Sequence, residues 1–86
     1  MRAVFHKSFD KDFAKLSNKV QKQAVARIKL FREEPYHPTL NNHALIGKYS
    51  GLRSINVTGD IRAVYDQMAD DLIMFVAIKS HSQLYG

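Results

Sequence analysis

Two prolines three residues apart, Pro35 and Pro38, divide an 86-residue chain into parts with different apolar periods. Before them apolar residues recur every three or four positions. After them they alternate, or run together in short stretches closed by glycine and aspartate. Proline cannot continue a helical ladder and disfavours helical geometry in the residue before it. Helices are therefore expected in the first part and strands in the second, and a chain this short holds a single small core. The expectation is one domain over residues 1–86 of α+β class, with two N-terminal helices laid across one face of a twisted meander and the other face left open.

Arg2 to His6 is a short strand candidate, after which Ser8 is placed to cap a helix carrying Phe9, Phe13 and Leu16, with Asp10 and Asp12 in its first turn. Asn18 with Gln21 three residues on resembles a capping box. The second helix then buries Val20, Ala24, Ile28 and Phe31 and shows Lys19, Lys22, Lys29 and Arg32 to solvent. Beyond an irregular stretch through Asn41 and Asn42, strands are expected over Ala44 to Ile46, Leu52 to Val57, Ile61 to Tyr65 and Leu72 to Ile78. The last is an unalternated apolar run, which marks it as the best-buried strand.

Charge is polarised. The chain is formally +5 at neutral pH, and residues 1 to 32 hold nine of the thirteen basic groups against two of the eight acidic ones. Such a surface suits polyanionic or acidic partners, and a solvated lysine-rich helix face explains it equally well. Cysteine is absent, which excludes disulfide staples and cysteine zinc sites. The seven-residue apolar run falls far short of the ~20 residues of a membrane span, and the amino terminus has no signal-peptide stretch, so a cytoplasmic protein is expected.

Four histidines offer acid–base chemistry near neutral pH. His6 ends a strand and His37 sits between the prolines, which reads as surface placement. His43 enters the first hairpin strand, and His81 follows the buried strand in Lys79-Ser80-His81-Ser82-Gln83-Leu84-Tyr85. Loop histidines are often inert, so position alone does not decide either. Metal-ligand spacings, phosphate loops and dinucleotide fingerprints are lacking, so no cofactor is expected. What remains is His43, Arg53, Asp60, Arg62, Lys79, His81 and Tyr85, a set that suits phosphodiester chemistry on RNA.

These residues sit in an ordered series: Pro35-x-x-Pro38, His43-Ala44-Leu45-Ile46-Gly47, Gly51-Leu52-Arg53-Ser54-Ile55, Gly59-Asp60-Ile61-Arg62-Ala63-Val64-Tyr65 and His81-Ser82-Gln83-Leu84-Tyr85. End to end, the chain resembles the RelE/ParE superfamily of bacterial type II toxins, and most of all the YafQ-type messenger-RNA interferases. The resemblance implies two helices on a curved, mostly antiparallel sheet with a site on its concave face. It implies ribosome-dependent, metal-independent cleavage of translated messenger RNA. A base takes the ribose 2′-hydroxyl proton, cations stabilise the phosphorane, and an acid protonates the leaving 5′-oxygen.

By the same resemblance His81 is the acid, and Asp60 or His43 the base. Arg62 and Lys79 would neutralise phosphate. Tyr85 would stack on a base or share the proton work, although a ring docked on the core is the plainer reading. Arg53 fits either phosphate binding or a structural ion pair in the sheet. Asn56, Ile61, Ala77 and Lys79 depart from the family pattern. The implied partners are a cognate antitoxin, the ribosome and its message, with DNA reached only through the antitoxin and no membrane involved. Two other outcomes stay open: a ParE-like gyrase inhibitor, against which His81 argues, and a degenerate toxin that only binds its antitoxin.

Overall fold

In the computed structural model, which describes residues 1–85 and leaves Gly86 outside the described residues, five strands form one mixed sheet. The elements are β1 (Arg2–Phe5), α1 (Lys7–Ala14), α2 (Asn18–Glu33), β2 (His43–Ala44), β3 (Arg53–Asn56), β4 (Ile61–Ala69), β5 (Leu72–Ser80) and α3 (His81–Tyr85). Short 3₁₀ turns at Pro38–Leu40 and Gly47–Tyr49 flank β2. The strand order is β1-β5-β4-β3-β2. The expected antiparallel meander runs from β2 to β5, and β1 adds to its far edge parallel to β5. No helix among the described residues is long and apolar enough to cross a membrane.

The main core lies between the α1–α2 pair and one sheet face. Phe9, Ala24, Ile28 and Phe31 from the helices meet Ile55, Val57, Ala63, Tyr65, Ile73, Phe75 and Ile78 from the sheet. The expected stripe on α2 is thus the buried one, with Val20 partly covered. Strand alternation sends Val64 the opposite way, where it joins Leu45, Ala77 and Leu84 in a second, smaller apolar cluster. Leu84 belongs to α3, so this short helix covers part of the face that the sequence reading left open.

A shift of register between Val64 and Tyr65 leaves Val76 unpaired, because Val64 faces Ala77 while Tyr65 faces Phe75. Such a bulge moves every later side chain of the strand to the other face. Ile73 and Phe75 point into the main core, and beyond the bulge Ile78 does so while Ala77 does not. The all-apolar run from Leu72 to Ile78 carries no alternation from which this flip can be read.

The helix starts differ from expectation. His6, set aside above as a surface residue, caps α1 by accepting the Ser8 amide on Nδ1 at 3.0 Å. Ser8 lies inside the helix, and its hydroxyl donates to the Val76 carbonyl at 2.5 Å. Four residues on, the Asp12 carboxylate accepts the Ile78 amide and the Lys79 ammonium, both at 3.2 Å. β1 ends opposite Phe75, so α1 takes over the exposed edge of β5, with Ser8 and Asp12 on one helical face satisfying the backbone that β1 no longer reaches. Asp12 therefore serves the sheet edge rather than the helix dipole. Asp12→Ala is expected to cost about 1.5–3 kcal/mol, the worth of hydrogen bonds to a charged group, and to speed exchange of the Ile78 amide. A urea titration and amide exchange check both, and an unchanged Ile78 amide would refute the edge role.

Ser17, not Asn18, caps α2, its hydroxyl accepting the Val20 amide at 3.3 Å. Gln21 reaches the Phe13 carbonyl instead of closing a capping box and so ties the two helices together. β2 is only two residues long: Ile46 is 83% exposed, and the chain turns at once through Gly47 and Gly51, whose φ values of +65° and +92° suit glycine. β4 and β5 each run nine residues, past Tyr65 and Ile78.

Candidate active site

Three elements converge on the second sheet face. Polar residues of β3 and β4 form the floor, His43 stands at the start of β2, and α3 crosses above with His81 and Tyr85. Arg62 is 4% exposed. Its Nε donates to the Ser54 hydroxyl at 2.7 Å, its Nη1 to the Asn56 side-chain carbonyl, and its Nη2 to the backbone carbonyls of Asn41 at 2.7 Å and Ser54 at 3.0 Å. Four of the five guanidinium hydrogens are thus held by the protein. Burial pulls the Arg62 guanidinium below its ordinary value, and the adjacent Tyr85 partly offsets this. Every one of these acceptors is neutral. The ion pairs among the described residues are Met1 with Asp71 and Lys79 with Asp12. A positive charge thus lies under the site, and no carboxylate of the described residues pairs with it.

His43 Nδ1 lies 3.0 Å from the Asn41 carbonyl, and Nε2 lies 2.8 Å from the Tyr85 hydroxyl. A carbonyl oxygen accepts only, so this contact assigns the proton of a singly protonated ring to Nδ1 and leaves Nε2 to accept from Tyr85. Arg62 Nη2 stands 3.2 Å from the same Nδ1, and the two donors share the Asn41 oxygen. The Ser54 hydroxyl is 3.5 Å from that of Tyr85, so Arg62, Ser54, Tyr85, His43 and Asn41 form a ring of polar contacts. The Tyr85 ring lies between the two histidines, with centroids 4.4 Å from His81 and 6.1 Å from His43.

Asn41 makes this possible with its backbone. At φ +43° it is the only non-glycine residue of positive φ among the described residues, and it ends the 3₁₀ turn that Pro38 begins. Asparagine tolerates that conformation better than other side chains. Asn41→Ala is expected to lose about 1–2 kcal/mol while Asn41→Gly loses nothing, as thermal unfolding will show; equal losses would remove the conformational explanation.

Of the residues singled out in the sequence, the structure brings together His43, Arg62, His81 and Tyr85. Asp60 is exposed in the β3–β4 turn and is tied to the cluster through its backbone, the His81 amide donating to its carbonyl at 2.7 Å. Lys79 is opposite Arg62 in the register, yet its ammonium turns to Asp12. Arg53 lies apart from this cluster, because it shares a face with Ile55 on the helix side of the sheet. There it bonds the Asn42 side chain at 3.0 Å and lies over the Tyr36 ring, 5.7 Å from its centre, with no ion pair. Burial raises the neighbouring Tyr65 phenol above its usual value, while its bond to Asn42 acts the other way.

Ser54 and Asn41 are site residues that the sequence reading passed over. The alternation Arg53-Ser54-Ile55-Asn56-Val57 does signal a polar second face on β3, and it marks Ser54 and Asn56. Asn56, noted as a departure from the family, supplies an acceptor for Arg62. Ala77, another departure, packs beneath Leu84. A groove of about 720 Å³ between α1 and α2, lined by Phe5, Phe9, Phe13, Val25 and Ile28, lies apart from this cluster and touches none of its residues.

The sequence profile of bacterial toxins of type II toxin–antitoxin systems, YafQ, matches residues 1–86. The chain belongs to the YafQ family. YafQ from E. coli superposes with a TM-score of 0.77 at 22% identity, over 99% of this chain and 98% of that one. A copper-bound mutant toxin from Helicobacter pylori gives 0.68 at 29% identity over 99% of both chains. The E. coli DinJ–YafQ toxin–antitoxin complex gives 0.75 at 23% identity, over 99% of this chain and 97% of the matched one. No curated sequence matches. In this YafQ-family toxin the expected α+β layering of helices on a mostly antiparallel sheet is the fold observed.

Proposed function

We propose that this toxin is a ribosome-dependent endoribonuclease that cleaves translated messenger RNA without a metal. The observation that carries the reading is the pairing of two histidines and a tyrosine on an open face with a buried arginine that has no anionic partner among the described residues. An uncompensated cation favours a phosphate above it, and the exposed rings of His81 and Tyr85 offer aromatic surface to a splayed base.

The exposed His81, at the first turn of α3, is the acid that protonates the leaving 5′-oxygen. His43, Tyr85 and Asp60 are the candidate bases. His43 and Tyr85 share a proton across 2.8 Å, whereas the Asp60 carboxylate stands free in solvent. Arg62 contributes its charge from below. Lys79, expected to neutralise phosphate, must first leave Asp12. The lysine-rich side of α1 and α2 suits ribosomal RNA as a docking partner. A cognate antitoxin, of the kind bound in the E. coli DinJ–YafQ complex, would neutralise the toxin by covering that surface or the site. The protein would act in the cytoplasm, and the antitoxin would provide any contact with DNA.

Primer extension on a translating message, beside the same RNA without ribosomes, tests this. Cleavage confined to the ribosome is expected. Cleavage of free RNA alone would overturn ribosome dependence. No cleavage in either case would favour the degenerate toxin, a reading supported by the commitment of Arg53, Arg62 and Lys79 to contacts within the protein.

A further inference from the structure

We infer that Arg62 is a positioning residue and not a ligand of the scissile phosphate. It holds the Asn41 carbonyl and the Ser54 hydroxyl, and through them sets the His43 tautomer and the direction of the Tyr85 hydroxyl. The catalytic consequence rests on the nuclease reading above; the geometry does not.

A guanidinium binds phosphate through a free fork of N–H groups. Here the Nε–Nη2 edge is closed by Ser54, both through its hydroxyl and through its carbonyl, and the remaining Nη2 hydrogen goes to Asn41. Nη1 retains one free hydrogen beyond Asn56, too few for a bidentate clamp. Arg62 instead fixes its neighbours. The Asn41 oxygen that it grips at 2.7 Å is the one that accepts the His43 Nδ1 proton, and this contact leaves Nε2 as the acceptor facing Tyr85. The Ser54 oxygen that it grips at 2.7 Å keeps its own proton available to the Tyr85 oxygen 3.5 Å away. Arg62 thus organises both members of the pair from beneath, with the αL backbone at Asn41 as the bracket.

Arg62→Lys separates the two roles, because lysine keeps a charge but has no planar fork. If Arg62 positions, the variant turns over ribosome-bound message roughly 10²-fold more slowly, as expected for misaligned reacting groups. It should still bind ribosomes programmed with a message carrying 2′-deoxyribose at the target codon within about twofold of the parent, since a defect confined to the transition state leaves ground-state binding intact. A lysine variant that cleaves at the parent rate, or one whose defect lies wholly in binding, overturns the proposal. A second measurement is independent of activity: ¹⁵N spectra of the neutral His43 ring should show the Nδ1–H tautomer in the parent and a mixture of both tautomers in Arg62→Lys. A parent ring protonated on Nε2, or a variant with an unchanged tautomer, also overturns it. If the parent cleaves nothing yet the tautomer depends on Arg62, the positioning stands and only the nuclease reading falls.

Discussion

Replacing His81 by alanine is expected to lower ribosome-bound messenger cleavage by roughly 10³-fold, within the ~10²–10⁴ that a positioned general acid supplies. The size follows from what the residue does and does not touch. Its ring is exposed at the start of α3 and lies on one side of Tyr85. Its amide, which anchors α3 to the Asp60 carbonyl, survives in the alanine variant. Stability should therefore move by no more than about 0.5 kcal/mol, the usual range for surface changes, and antitoxin binding should persist. Single-turnover cleavage, urea unfolding and a pull-down with the antitoxin read the three quantities separately. A fully active alanine variant would remove His81 from the chemistry. A variant that loses stability and activity together would make the histidine a structural part of α3.

Phe75→Ala carries the largest expected effect on stability, about 3–5 kcal/mol for removing a fully buried aromatic ring. Phe75 sits where every layer meets. Its ring centre is 5.6 Å from Phe5, 5.7 Å from Phe9, 5.7 Å from Phe31 and 5.9 Å from Tyr65, so β1, α1, α2 and β4 all pack on it. The four rings that pack on it are rigid and anchored on separate elements, and the cavity should stay largely open. Domains of this size have total stabilities near 5–15 kcal/mol, so the urea midpoint should fall by about a fifth or more. A loss below about 1 kcal/mol would show that the helices and sheet repack around the gap, and the four-layer contact would then matter less than its geometry indicates.

The two helices and the hairpin order were legible because local chemistry decides them. The stripe through Ala24, Ile28 and Phe31 has no other way to leave water, and the prolines stop the helix for steric reasons. The helix caps were misread by one or two residues, since Ser8 and Asn18 compete with His6 and Ser17 for roles that only the path of the chain settles. β2 shrank to His43–Ala44 because the chain turns away at Gly47 and leaves Ile46 exposed. The members of the site were half legible. The family resemblance pointed to His43, His81 and Tyr85, and Ser54 was readable from strand alternation. The turn of Lys79 to Asp12 and the service of Asn41 through its backbone carry no sequence signal at all.

By itself, the sequence determined the class of the fold, the stripe that α2 buries, the alternation of β3, and the residue types available for acid–base work. These depend on periodicity and backbone sterics, which act within a few residues. The tertiary structure decided the rest: the parallel placement of β1, the bulge at Val76 that reverses the faces of β5, the helix α3 over the second face, and the buried Arg62 under His43 and Tyr85. Each depends on which groups are left without a hydrogen-bond partner or an apolar cover once the chain has closed. That is a property of contacts between Asn41 and Arg62, or between Ser8 and Val76, that lie far apart along the chain.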